Sequence, residues 1–134
     1  MFEFINLMVK LIDPEVDNFK ILDPLVKQCA VTSDDKIEVI YFKIHPPSLL
    51  KILKQLTQNY EIVIFTILPR RIMKAVYEAI PMLESNINFT LCQEETKIQN
   101  EFLIKDISLL LGNRELEDIY VVDCDEKAFD PDSV

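Results

Sequence analysis

At 134 residues, 49% apolar and 28% charged, the chain has the composition of one globular domain rather than of a disordered or two-domain protein. A net charge of −9 and a pI near 4.6 argue against nucleic acid and anionic lipid as partners, since both would be repelled at long range. The same charge suits a basic partner, and no apolar run approaches the roughly 18 residues of a membrane-spanning helix.

Residues 2–9 predict a first buried strand. The start, Met1-Phe-Glu-Phe-Ile-Asn-Leu-Met-Val9, carries Glu3 and no basic leader, so neither a secretory signal nor a transit peptide is expected. Asp13-Pro14 and Asp23-Pro24 punctuate a loop-rich stretch with room for a short helix or extended piece over residues 19–30. Ser33-Asp34-Asp35 predicts a turn. The alternation of Ile37, Val39 and Tyr41 within residues 36–43 predicts a half-exposed strand. Pro46-Pro47-Ser48 then opens a helix whose Leu49, Leu50, Ile52, Leu53 and Leu56 fall at helical spacing.

Residues 60–66, Tyr-Glu-Ile-Val-Ile-Phe-Thr, form a short β-branched and aromatic run, the signature of a parallel strand covered on both faces. Ile72, Met73, Val76, Ala79 and Ile80 predict the next helix, closed by Pro81. Residues 86–92 predict another strand, and residues 93–101 the tip of a hairpin returning through residues 102–104. Residues 106–111 predict a short amphipathic helix stopped by Gly112 and Asn113. Gly112 is the only glycine, which excludes a glycine-rich phosphate cradle. Residues 119–122 predict the last strand, with Asp123 at its carboxyl end.

Helix, buried strand and helix make one turn of a doubly wound α/β fold with a mostly parallel sheet, to which the hairpin would be a small insertion. In such folds ligands gather at the carboxyl ends of strands, which here carry Asn6, Thr66 and Asp123, with Lys105 between the last two. Cys29, Cys92 and Cys124 are odd in number and widely spaced, forming neither a disulfide framework nor a metal pair. His45 is the only histidine and precedes two prolines, so no histidine-based triad is expected.

Three segments carry a resemblance: residues 60–66, Ile-Lys-Asp-Ile-Ser at 104–108, and Ile-Tyr-Val-Val-Asp at 119–123. In order and spacing they resemble the haloacid-dehalogenase-like (Rossmannoid) phosphatases, in the branch that acts on the RNA-polymerase C-terminal domain, the FCP/SCP-homology proteins. In that family the first strand ends in D-x-D-x-T. One aspartate attacks phosphorus, the second serves as acid and base, and both help hold Mg²⁺. Aligned on residues 5–12, the nucleophile position holds Asn6, the acid position Met8 and the threonine position Lys10. An amide does not form an acyl-phosphate, and a thioether neither donates a proton nor binds Mg²⁺ well. Cys124 replaces the ligand that usually follows Asp123. On this reading Thr66, Lys105 and Asp123 are relics of a catalytic set, there is no cofactor or metal, and the protein is not an enzyme.

Val-Val-Asp-Cys-Asp-Glu-Lys-Ala-Phe at 121–129, with the degenerate Asn6-Leu7-Met8, looks like a non-catalytic offshoot of the family. That offshoot comprises the receptor subunits of the presequence translocase of the mitochondrial inner membrane, which face the intermembrane space. The resemblance implies a single domain over residues 1–134, ending short of the family's final strand and helix. It also implies basic amphipathic presequence peptides and other translocase subunits as partners, in a mitochondrion or a mitochondrion-derived organelle. A receptor for such peptides needs an apolar groove rimmed by carboxylates. Glu94, Glu95 and Glu101 on the hairpin, with Asp125 and Glu126 near the strand ends, are the candidate rim. The alternatives are a divergent Mg²⁺-dependent phosphoprotein phosphatase and a phosphoprotein-binding pseudophosphatase, in nucleus or cytoplasm.

Overall fold

The computed structural model describes residues 9–12, 26–34, 36–44, 48–123 and 125–129. Within these, the middle of the chain is organised on the apolar run of residues 60–66, as the sequence predicts. Strand β4 (Val63–Phe65) is buried at every position. Its side chains alternate between two clusters. Ile64, with Ile62 just before the strand, packs into the larger core with Phe42, Leu53, Met73, Val76 and Leu83. Val63 and Phe65 point the other way, toward Ile107 and Leu110.

Helix α1 (Leu49–Leu56) contributes Leu49 and Leu53 to the larger core. Helix α2 (Arg70–Ala79) turns Met73, Val76 and Tyr77 inward, the i, i+3, i+4 stripe of a helix lying on a sheet, and buries Ala75 as well. It stops at Ile80 because Pro81 lacks an N–H; that proline instead opens the short helix α3 (Pro81–Glu84). The chain then returns as β5 (Phe89–Leu91), which pairs with β4 in parallel, Ile64 opposite Thr90. This β4–α2–α3–β5 unit is the crossover the sequence predicts.

The rest of the β structure differs from the expected doubly wound sheet. Among the described residues β4–β5 is the one parallel pair, and the other two sheets are antiparallel. Strand β1 (Val9–Ile12) lies beside β3 (Lys36–Ile44), which also pairs with β2 (Val26–Ser33). Ser33 pairs with Lys36, and Asp34 just after β2 is in a turn with φ 46°, a conformation aspartate tolerates. The alternation of Ile37 and Val39 is present but faces outward: they are 74% and 54% exposed. Among the described side chains, Phe42 of β3 enters the core with Cys29 of β2 packed against it, and Val31 of β2 is buried. Periodicity locates the strand; which face is covered is decided by α2, which packs on β2.

The predicted hairpin is present as β6 (Lys97–Gln99) and β7 (Phe102–Ile104), with Asn100 and Glu101 at its tip at φ 50° and 68°. Two positive φ values in a two-residue loop match the right-handed twist of the flanking strands. The first part of the expected tip, Gln93–Glu95, is a 3₁₀ turn ahead of the strands. Ile107–Leu110 is also a 3₁₀ turn, not an α-helix, capped by the Asp106 carboxylate accepting from Ser108 N at 3.0 Å. Gly112 has no positive φ and open space at its Cβ position, so that turn does not require glycine. Residues 119–122 pair with no strand among the described residues, so the expected last strand is not shown. A strand exists only through its neighbour's hydrogen bonds, and an apolar run cannot supply them alone. Residues 2–8, expected to form the first strand, and His45 and Cys124 lie outside the described residues.

Candidate functional site

The segments after β7 bring two predicted residues together. Lys105 follows β7, is fully buried, and donates from Nζ to Asp123 Oδ2 at 2.8 Å, where the carboxylate is itself only 5% exposed. The other carboxylate oxygen, Oδ1, accepts from Asp125 N at 2.9 Å. Lys105 is fixed along its backbone as well, its N–H donating to Ala128 O at 2.7 Å in a single parallel bridge to Phe129. The Phe129 ring lies 5.7 Å from Nζ. A charged pair is sustainable at this depth because both members are hydrogen-bonded; alone, either would carry an uncompensated desolvation cost.

Thr66 is fully buried at the end of β4. Its N–H donates to Leu91 O at 2.8 Å, and its Oγ1 accepts from Leu68 N at 3.1 Å. The hydroxyl thus shapes the turn into α2, the helix-entry role open to any strand-end threonine. Asn6 and Met8 lie outside the described residues.

Of the candidate rim, Glu94 and Glu95 are engaged in holding that helix. Glu94 accepts from Arg70 N at 3.0 and 3.1 Å, a carboxylate on the positive end of α2 supplied from 24 residues away. Glu95 pairs with the Arg70 guanidinium and accepts from Cys92 N at 2.6 Å. These bonds hold its carboxyl below the usual range, the Cys92 N–H contributing most. Glu101 is exposed at the hairpin tip. Asp125 accepts from Lys127 N at 3.0 Å, and Glu126 opens the 3₁₀ turn Glu126–Ala128. Nothing in the sequence signals the Glu94–Arg70 clasp, since its partners are remote and each reads locally as a solvated charge.

Asp106 is a further ionised group that the site depends on. It is 3% exposed, pairs with Lys97, and accepts from both the N–H and the hydroxyl of Ser108. Lys97 first, then Ser108, hold its carboxyl below the ordinary 3.8. A depressed folded-state value means that the contribution is complete above the unfolded value and is lost as pH falls through the folded one. Asp106→Asn is therefore expected to lower stability at pH 7 by urea unfolding, and the gap from the unsubstituted chain to close below about pH 4. A gap independent of pH would show that charge is not what Asp106 contributes.

Among the described residues, two sets of donors could be offered to a metal. Around Lys105, Asp123 offers carboxylate oxygens already accepting from an ammonium and an amide, whereas Mg²⁺ asks for octahedral oxygen ligation. Cys92, Glu94 and Glu95 also cluster, with their donor atoms within 4.8 Å of one another. There, burial pushes the Cys92 thiol up to about 11 and Arg70 already occupies the carboxylates, so the set is protonated or satisfied at neutral pH.

Residues 11–133 match the family described as NLI interacting factor-like phosphatase. The match begins after Asn6 and Met8 and spans every described element from β2 to the last turn. A search of curated proteins finds no match to the chain.

Proposed function

The chain belongs to the NLI interacting factor-like phosphatases, whose fold is of the haloacid-dehalogenase type, and from that premise we propose that it is a non-hydrolytic member, a protein-binding domain on a phosphatase scaffold. The reading rests on the resemblance of residues 5–12 to the family's first motif, an alignment that puts Asn6 and Met8 at the two aspartate positions. Phosphoryl transfer through an aspartyl-phosphate needs a carboxylate nucleophile, and neither side chain supplies one. The buried Lys105–Asp123 pair is compatible with this reading as a structural tie, Nζ donating to the carboxylate at 2.8 Å. In this role the pair ties the segment after β7 to the segment ending at Phe129.

The binding reading has a finer form: a receptor for basic amphipathic presequences, working with other translocase subunits at the intermembrane-space face of a mitochondrial inner membrane. It is supported by residues 121–129 and by a net charge of −9. An acidic surface steers a cationic helix inward, and apolar contact then holds it. A second reading, a divergent Mg²⁺-dependent phosphoprotein phosphatase, is favoured by the activity for which the family is described. It requires a nucleophile other than position 6.

A cationic amphipathic peptide titrated into the protein tests the binding reading. Raising salt from about 0.01 M to about 0.15 M shortens the screening length from roughly 30 Å to roughly 8 Å. Binding is expected, with affinity falling severalfold over that range. Binding that ignores salt, or no binding at all, would overturn the proposal.

A further inference from the structure

At the opposite end of β4 from Thr66 lies a cleft. Tyr60 precedes the strand and Thr66 follows it, so strand rise separates them by roughly 20 Å. The cleft encloses about 230 Å³, with Val63, Leu110 and Ile119 as its floor and Tyr60, Tyr120 and Asp118 around its mouth. The two tyrosine rings meet edge to face, centroids 6.4 Å apart at 85°, and remain 47% and 61% exposed. Large aromatic rings left this open are what an interface anchor looks like before its partner arrives.

The charges around the rings specify what fits. Arg114 reaches the same cleft, but its charge is answered internally. Its Nε donates to Glu61 Oε2 at 2.8 Å, Nη1 donates to Leu110 O at 3.1 Å, and the guanidinium lies over the Phe89 ring at 5.5 Å. Glu61 responds accordingly, its carboxyl held below the usual range by Arg114. The Asp118 carboxylate, by contrast, meets no hydrogen-bond or ion-pair partner among the described residues, and exposed Glu115 and Glu117 flank it. Two exposed ring systems beside an uncompensated carboxylate suit a side chain that is a long apolar stem with a cationic head.

We propose that this cleft holds a lysine or arginine side chain from a basic protein segment, gripped by the rings of Tyr60 and Tyr120 and by the Asp118 carboxylate. The site is separate from the buried Lys105–Asp123 pair, and it stands whether or not the chain hydrolyses phosphate esters. It would give a basic partner a second point of attachment, at the other end of the sheet.

An acetylated tetra-arginine amide, followed through the tyrosine ring resonances, tests the site, with acetylated tetra-glutamate amide as the control. The rings of Tyr60 and Tyr120 are expected to shift, while that of buried Tyr77 stays still. Tyr120→Leu should weaken binding roughly two- to thirtyfold, the range of a single cation–ring contact. Asp118→Asn, which keeps the shape, should weaken it and flatten its salt dependence. Both positions are exposed, so neither change threatens the fold. Unmoved rings, or unchanged affinity in Tyr120→Leu, would overturn the proposal. Equal binding of the glutamate peptide would also overturn it, since Arg114 would then be the recognising group.

Discussion

Lys105→Met is expected to destabilise the domain by about 3–5 kcal/mol, the cost of breaking a buried ion pair from one side. The substitution keeps the apolar stem and removes the ammonium. It leaves the Asp123 carboxylate at 5% exposure without the cation 2.8 Å away. A domain of this size has only about 5–15 kcal/mol in total, so a large fraction of its stability is at stake. The double variant Lys105→Met/Asp123→Leu should recover most of the loss, because replacing both partners by apolar groups is often close to neutral. A residual deficit of about 1 kcal/mol should remain from the lost Asp125 N–H bond to Asp123. Urea unfolding at constant m-value measures all three. A loss below about 1 kcal/mol in Lys105→Met would mean that the pair is not coupled to folding.

Phe65→Ala is expected to cost a similar amount, about 3–5 kcal/mol, through the cavity it leaves. Phe65 is fully buried in β4, on the face that meets Ile107 and Leu110, with Phe129 packed alongside. That cluster joins the central strand to the segments carrying Lys105 and Asp123. The same substitution should therefore speed amide exchange at Lys105, whose N–H bonds to Ala128 O. Ile98→Ala is the control: 80% exposed on β6, it should change stability by less than about 0.5 kcal/mol. Comparable losses in the two variants would show that the cluster under β4 does not hold the domain together.

What the sequence could and could not reveal follows from how local each signal is. The run 60–66 is readable because a doubly covered strand must be apolar at every position. The stripe of Met73 and Val76 is readable because a helix imposes its own period. Asn100 marks its turn because few residues sit easily at positive φ. By contrast, the outward direction of Ile37 and Val39 depends on where α2 lies, and the pairing of β1 with β3 on segments over twenty residues apart. The extent of the parallel sheet is not local either: residues 119–122 have a strand's composition, but pairing is a property of two segments, and among the described residues they have no partner strand. At the site, Lys105 and Asp123 were named from the resemblance, and the structure brings them together. The clasp of Glu94 and Glu95 on Arg70 was not legible, because a helix N-terminus capped from a distant loop leaves no mark in the local pattern.

The most direct test of a non-hydrolytic role is turnover itself. The purified chain, incubated with an aryl phosphate and millimolar Mg²⁺, is expected to release no product above buffer. Steady release that disappears in Asp123→Asn would contradict the proposal and return the chain to the working phosphatases.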